Sequence, residues 1–153
     1  MNRQRRIRVR VAELETFLAR ARRELRLPAE SLSICLVTDA QMAKWNRAYR
    51  GKNRPTDVLS FPADGARSSA IFSKAANSRQ KFTTRTAALY LGDIAIAPAV
   101  AKRNARKYGR TLPEELRILI LHGALHLMGY DHETDTSQMD RREQMLRRKL
   151  GLA

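Results

Sequence analysis

The sequence predicts an α+β fold with one mixed sheet of about four strands and helices packed around it. Short apolar or alternating stretches, which are typical of strands, are separated by longer stretches with apolar residues every three or four positions. Proline and glycine residues stand where one pattern gives way to the next. At 153 residues, the chain has the length of one ordinary domain with a single core.

The first elements are predicted from changes in periodicity. Residues 7–11 alternate apolar and basic side chains, which predicts a first strand. A helix that ends before Pro28 follows, because one of its faces collects the apolar residues Leu14, Phe17, Leu18, Ala21 and Leu25. Residues 31–38 form an apolar run that predicts a buried strand.

A second helix and a third strand come next. Asp39 is a good N-cap for a helix over residues 40–50, and Gly51 suits the end of that helix. A polar loop then leads to a strand at residues 58–61.

The middle of the chain contains a basic stretch without regular periodicity, at residues 64–86. Serine, alanine, arginine, lysine and asparagine dominate there, so we expect an exposed insertion in a single domain that spans residues 1–153. Alternation resumes at residues 87–96, where Gly92 inside the predicted strand allows either a bulge or the close approach of another backbone. Pro98 then begins a helix that ends before the next glycine.

The most apolar helix is predicted at residues 111–128, with Thr111 as its N-cap and Pro113 in its first turn. Its side chains are apolar on nearly every face, which indicates that this helix is buried in the core. A last helix, capped by Thr136 or Ser137, carries apolar residues on one face and basic residues on the other.

All three histidines of the chain lie in one short stretch at the end of the buried helix. His122 and His126 are four positions apart, so a helix places both on one face. Gly129 stands where the helix would end, and His132 follows it by three positions. This spacing is typical of a three-histidine metal site with a fourth position open for water. We therefore predict that the three histidines bind one Zn²⁺ ion per chain.

Ordinary packing is the alternative interpretation, because a histidine pair on an apolar helix is often structural. The gathering of every histidine around one glycine favours the metal site. Zinc proteases carry a glutamate directly after the first histidine as general base, and this chain has Gly123 there. Protease activity is therefore disfavoured.

The stretch HGALHLMGYDH at residues 122–132 resembles the signature His-Gly-x-Leu-His-Leu-x-Gly-Tyr-Asp-His of the YbeY family of bacterial endoribonucleases. Residues 46–62, which end in PTDVLSFP, and LGDI at residues 91–94 are similar to further family motifs. The resemblance implies a metal-dependent endoribonuclease of single-stranded RNA. In the family, such an enzyme acts in ribosomal RNA processing, at the 3′ end of the small-subunit RNA, and in ribosome quality control.

The resemblance also implies roles for particular residues and partners. Arg50 matches a functional arginine of the family, and its guanidinium would hold a phosphate near the metal. The alternative for Arg50 is a cation favoured by the dipole at a helix C-terminus. Asp57 or Asp131 could orient a ligand or a water. The implied partners are ribosomal RNA, proteins of the small ribosomal subunit and the GTPase Era.

Composition indicates which partners and which cellular compartment to expect. The net charge of +15 predicts a polyanionic partner, with nucleic acid as the default and arginine-rich compositional bias as the alternative. No apolar run approaches the length of a membrane span, and the single Cys35 cannot form a disulfide within the chain. We therefore expect a cytoplasmic location and no membrane association.

Two other function classes stay open beside the nuclease. One is a metal-dependent hydrolase of another bond, such as a peptide bond. The other is a non-catalytic ribosome assembly factor that contains a structural metal.

Overall fold

The computed structural model describes residues 1–63, 90–130 and 137–152. Its elements follow one another as α1 (Val11–Glu24), β1 (Leu32–Leu36), α2 (Asp39–Arg50), β2 (Val58–Pro62), β3 (Gly92–Ile96), α3 (Pro98–Lys107), α4 (Leu112–Leu127) and α5 (Gln138–Lys149). The predicted α+β class is confirmed. The predicted insertion at residues 64–86, Asp131 and the third histidine, His132, lie outside the described residues.

The sheet is mixed, as predicted, and β3 is its central strand. β1 pairs with β3 in parallel, and β2 pairs with β3 in the antiparallel direction. Ile94 lies at the centre of both registers, opposite Ile34 on one side and Ser60 on the other. Within the described ranges the sheet has three strands, whereas the sequence predicted about four.

The strand predicted at residues 7–11 is wrong. The side-chain amide of Gln4 closes a turn there, because it accepts a hydrogen bond from the N–H of Ile7 and donates one to the carbonyl of Ile7, both at 2.9 Å. Such local side-chain bonds compete with strand pairing for the backbone groups. The carbonyl of Arg10 accepts hydrogen bonds from the N–H groups of Glu13 and Leu14 in the first turn of α1, so it is not paired with another strand. Residues 1–3 contact the edge of β1 instead, through one isolated bridge between Asn2 and Leu36.

The two faces of the sheet pack against different parts of the core. Ile94 and Ile96 of β3 join the main hydrophobic cluster with α1, α4 and α5. Ala95, which points to the opposite face, joins a smaller cluster with Leu59 and Met42. Residues on most faces of α4 belong to the main cluster. Among the described residues, no helix is long and apolar enough to cross a bilayer.

Two glycines let backbone segments approach closely at the sheet. A Cβ atom on Gly92 would collide with the carbonyl oxygen of Phe61, so the close approach is the one of the two predicted alternatives that the structure supports. A Cβ atom on Gly123 would lie 2.8 Å from Cγ2 of Ile94, so α4 packs directly on β3. The carbonyl of Gly123 also accepts a hydrogen bond from Oγ of Ser60 at 3.1 Å. These contacts fix how α4 is rotated about its axis.

Candidate functional site

The rotation of α4 places two histidines beside the face that contacts the sheet. On an α-helix, His122 and His126 lie about 100° and about 60° from Gly123, both in the same direction around the axis. The helix ends at Leu127, where the N–H of Tyr130 donates to the carbonyl of Leu125 and Gly129 adopts a φ of 98°. The predicted helix end at this glycine is therefore confirmed.

His122 and His126 form a close pair. Their ring centroids are 4.7 Å apart, and the two ring planes meet at 76°. Their Nε2 atoms are 3.1 Å apart. The structure thus brings together two of the three predicted ligands, through the nitrogen that points away from the helix backbone in each ring.

The partners of the other ring nitrogens determine where the hydrogens lie. Nδ1 of His122 is 3.0 Å from Oε2 of Glu143, and Nδ1 of His126 is 3.0 Å from the carbonyl oxygen of Tyr130. A carboxylate and a carbonyl oxygen only accept hydrogen bonds, so each Nδ1 carries a hydrogen. In the neutral rings, the two Nε2 atoms are then acceptors that face each other.

This arrangement fits a metal ion. Two nitrogen acceptors that face each other at this distance can both bind one cation. Two nitrogen ligands at about 2.0–2.1 Å from a tetrahedral Zn²⁺ are about 3.3 Å from each other, close to the separation of this pair. Histidine nitrogens are also among the ligands that zinc prefers.

The third ligand stays a prediction. In the parts of the chain that the structure describes, no group of three or more histidine, cysteine, aspartate or glutamate side chains could hold a metal ion. His132 belongs to a segment outside those parts, so the complete three-histidine set is neither confirmed nor contradicted.

Glu143 is a member of this site that the sequence analysis did not predict. It lies on the apolar face of α5, between the buried residues Met139 and Leu146, and it also contacts the guanidinium of Arg147. Burial raises the pKa of the Glu143 carboxyl, but the hydrogen bond from His122 and the adjacent positive charge and hydrogen bond of Arg147 lower that pKa more. The pKa therefore lies below its ordinary value. The only sequence signal was a single acid within the apolar face of the last helix.

Arg50 and the loop that follows it come from the end of α2. Arg50 is the last residue of α2 and is exposed to solvent. The loop after it is held by two side-chain amides: Asn46 donates to the carbonyl of Arg54 at 2.7 Å, and Asn104 donates to Oδ2 of Asp57 at 2.9 Å. Asp57 thus anchors this loop. The role of Arg50 as a phosphate ligand stays a prediction.

Comparison with known proteins identifies similar sequences over most of the chain. The family described as Endoribonuclease YbeY matches residues 2–151. The chain is 36% identical over 141 residues to the Endoribonuclease YbeY of Solibacter usitatus, covering 91% of this chain and 78% of the relative. It is 42% identical over 122 residues to the Endoribonuclease YbeY of Chloroflexus aggregans, covering 78% and 72%.

A solved structure is similar in fold. The solution structure of a Thermotoga maritima protein matches with a TM-score of 0.57 and 24% sequence identity, covering 92% of this chain and 80% of that one. This likeness supports the arrangement of helices and strands described above.

Proposed function

Because this chain belongs to the YbeY endoribonuclease family, we propose that it is a zinc-dependent endoribonuclease that cleaves single-stranded RNA. The observation that carries the metal dependence is the pair of Nε2 atoms of His122 and His126, which face each other at 3.1 Å. His132 would complete the ligand set and leave one coordination position open.

The residues around the site would have separate roles in RNA cleavage. The histidines would hold a zinc ion with one coordination position open, and the ion would contribute Lewis-acid chemistry toward a water or a phosphoryl oxygen. His122 and His126 would hold the ion rigidly, because they project from a helix whose other faces are packed in the core. Arg50 would bind the phosphate of the cleaved bond and stabilise the charge that develops on it. Its exposure on α2 makes it accessible to a polymer.

The charge of the protein supports RNA as the substrate. The chain has 30 lysine and arginine residues against 15 aspartate and glutamate residues. Such an excess attracts the phosphate backbone and makes binding dependent on salt concentration.

The packing of Gly123 argues against peptide hydrolysis. A side chain at this position would collide with Ile94 and lie 3.2 Å from Oγ of Ser60. The glutamate base of zinc proteases therefore has no room at the equivalent position unless α4 moves away from the sheet.

We further propose, from the family resemblance, that the enzyme acts in ribosomal RNA processing. Its substrates would include the 3′ end of the small-subunit RNA, and it would also serve ribosome quality control. Proteins of the small ribosomal subunit and the GTPase Era are the partners expected in this setting.

The experiment that tests the proposal compares wild type, His126→Ala and Arg50→Ala, each incubated with zinc and then freed of excess ion. Zinc content, RNA binding, and cleavage of single-stranded RNA and of a peptide are measured on the same samples. Arg47→Ala is the matched control for Arg50, because Arg47 is also an exposed arginine in the last turn of α2.

We expect wild type to cleave RNA and leave the peptide intact, and His126→Ala to lose both zinc and cleavage. Arg50→Ala should keep its zinc but cleave about a hundredfold more slowly, as when other donors to a developing anion are removed. Arg47→Ala should resemble wild type. Wild type that binds zinc and RNA without cleaving would favour an assembly factor with a structural metal. Peptide cleavage would favour a hydrolase of another bond.

A further inference from the structure

α5 brings a buried carboxylate to the histidine pair. Glu143 is only 6% exposed and lies on the same helix face as Met139 and Leu146, which pack in the main core. Burying a carboxylate costs free energy unless it is paired and hydrogen-bonded. Both of its oxygens have such partners: Oε2 contacts Nδ1 of His122, and Oε1 contacts the guanidinium of Arg147.

We infer that Glu143 is a positioning residue, which holds His122 as the Nδ1–H tautomer and turns its Nε2 toward His126. Arg147 holds the Glu143 carboxylate in the orientation that this contact requires. The inference rests on the proposed metal site and deepens it. A neutral histidine can offer Nε2 to a metal only when its hydrogen is on Nδ1, so the acceptor beside Nδ1 selects the binding form.

The two histidines are held in different ways. His126 donates to the backbone carbonyl of Tyr130, four residues further along the same chain segment. His122 donates to a side chain from another helix, 21 residues away in the sequence. The geometry of His122 therefore depends on the docking of α5 against α4, whereas that of His126 depends on the turn that ends α4.

The chain offers a matched control for Glu143. Glu115 is also buried, at 3% exposure, and its Oε2 is 2.9 Å from Nη1 of Arg110. Glu115 is thus a second buried glutamate that pairs with an arginine. It belongs to α4, but it lies at the opposite end of that helix from the histidines. A general effect of disturbing a buried ion pair should appear equally in both variants.

The test measures zinc affinity by competition with a chelator for wild type, Glu143→Gln and Glu115→Gln. Glutamine keeps the volume of glutamate, but its amide can reverse and donate to Nδ1, which favours the wrong tautomer of His122. We expect Glu143→Gln to bind zinc about 10- to 100-fold more weakly, as is usual when a partner of a metal-binding histidine is lost. Glu115→Gln should bind zinc as wild type does.

A second measurement reports the tautomer directly and needs no metal. Two-bond ¹H–¹⁵N spectra of ring-labelled histidines are recorded on the metal-free full chain at about pH 8, above the unperturbed histidine pKa of about 6.5. Wild type should show His122 with its hydrogen on Nδ1, and Glu143→Gln should show a smaller Nδ1–H fraction. Since wild type alone answers the first point, a variant that does not fold leaves the inference testable.

The outcomes separate this inference from the proposed function. Wild type that binds zinc, together with Glu143→Gln of equal affinity, overturns the role of Glu143 and leaves the metal site standing. If wild type does not bind zinc, the proposed metal site is overturned. The position of the hydrogen on the His122 ring then shows whether Glu143 selects the tautomer. A wild-type His122 with its hydrogen on Nε2 overturns the inference in either case.

Discussion

Polar side chains make different kinds of contact at the two ends of α4. At the first end, the N–H of Thr111 donates to Oε2 of Glu114 at 2.7 Å, and the N–H of Glu114 donates to Oγ1 of Thr111, which forms a capping box. Glu115 pairs with Arg110, five residues away. At the second end, His122 reaches Glu143 on another helix, and the Nε2 atoms of His122 and His126 face each other.

If the proposed zinc site is correct, the residues that stabilise α4 and the residues that bind the ion lie at different ends of the helix. Polar groups at the first end satisfy one another within a short stretch of sequence, which stabilises the start of the helix. At the second end, two nitrogen acceptors face each other on a rigid element, an arrangement suited to binding one cation. Departures from local optimisation of this kind are expected at functional sites.

Gly123→Ala should have the largest effect, because this residue lies where α4 packs directly against β3. Its new Cβ would lie 2.8 Å from Cγ2 of Ile94, which is fully buried. We expect the free energy of unfolding to fall by about 1–3 kcal/mol in urea denaturation, although alanine has a helix propensity about 1 kcal/mol better than glycine. Zinc affinity should fall as well, because His122 shifts with the helix.

A double variant checks that the collision with Ile94 is the cause. Gly123→Ala combined with Ile94→Ala should lose less stability than the sum of the two single variants, because the truncated residue makes room for the new methyl group. Additive losses, or an unchanged free energy of unfolding in Gly123→Ala, would contradict this account of how α4 is seated.

Thr111→Ala should affect only the first end of α4. Loss of the N-cap hydroxyl is expected to lower the free energy of unfolding by about 1 kcal/mol, with zinc affinity unchanged. Thr16→Ala is the control, because Thr16 is an exposed threonine whose hydroxyl bonds to the carbonyl of Ala12 inside α1. A drop in zinc affinity for Thr111→Ala would show that the two ends are not independent.

The smallest expected effect is the pH dependence of the capping box. The backbone hydrogen bond from Thr111, and then the one from its hydroxyl, lower the pKa of Glu114 from its ordinary value of 4.5. Because the pKa is lower in the folded state, the carboxylate stabilises the protein above that ordinary value. The contribution is lost as the pH falls through the folded-state pKa.

The measurement compares wild type and Glu114→Gln in urea at pH 7 and in acid below the lowered pKa of Glu114. Wild type should be the more stable protein at pH 7, and the difference should disappear in acid. An equal difference at both pH values would mean that the charge of Glu114 does not contribute.

Elements governed by local rules were predicted well. The cap at Thr111, the proline after it and the end of α4 at Gly129 follow from contacts within a few residues, and the structure confirms them. The N-cap of α2 is Thr38, one residue before the predicted Asp39, since both residue types cap helices well.

Two features were not predictable from spacing, one a local side-chain turn and the other a contact between two helices. The alternation at residues 7–11 gave no sign of the Gln4 side chain that closes a turn there. Glu143 comes into contact with His122 only because α5 packs on α4. From the sequence alone, nothing indicates which residue a single acid on an apolar helix face will contact.

The central claim is that Nε2 of His122 and Nε2 of His126 bind the same zinc ion. The most direct test is a zinc titration of ring-¹⁵N-labelled histidines, followed nitrogen by nitrogen. We predict that both Nε2 signals shift together and stop changing at one equivalent of zinc, while both Nδ1 atoms keep their hydrogens. A shift of only one of the two rings, or loss of the hydrogen from Nδ1 of either ring, would contradict the account.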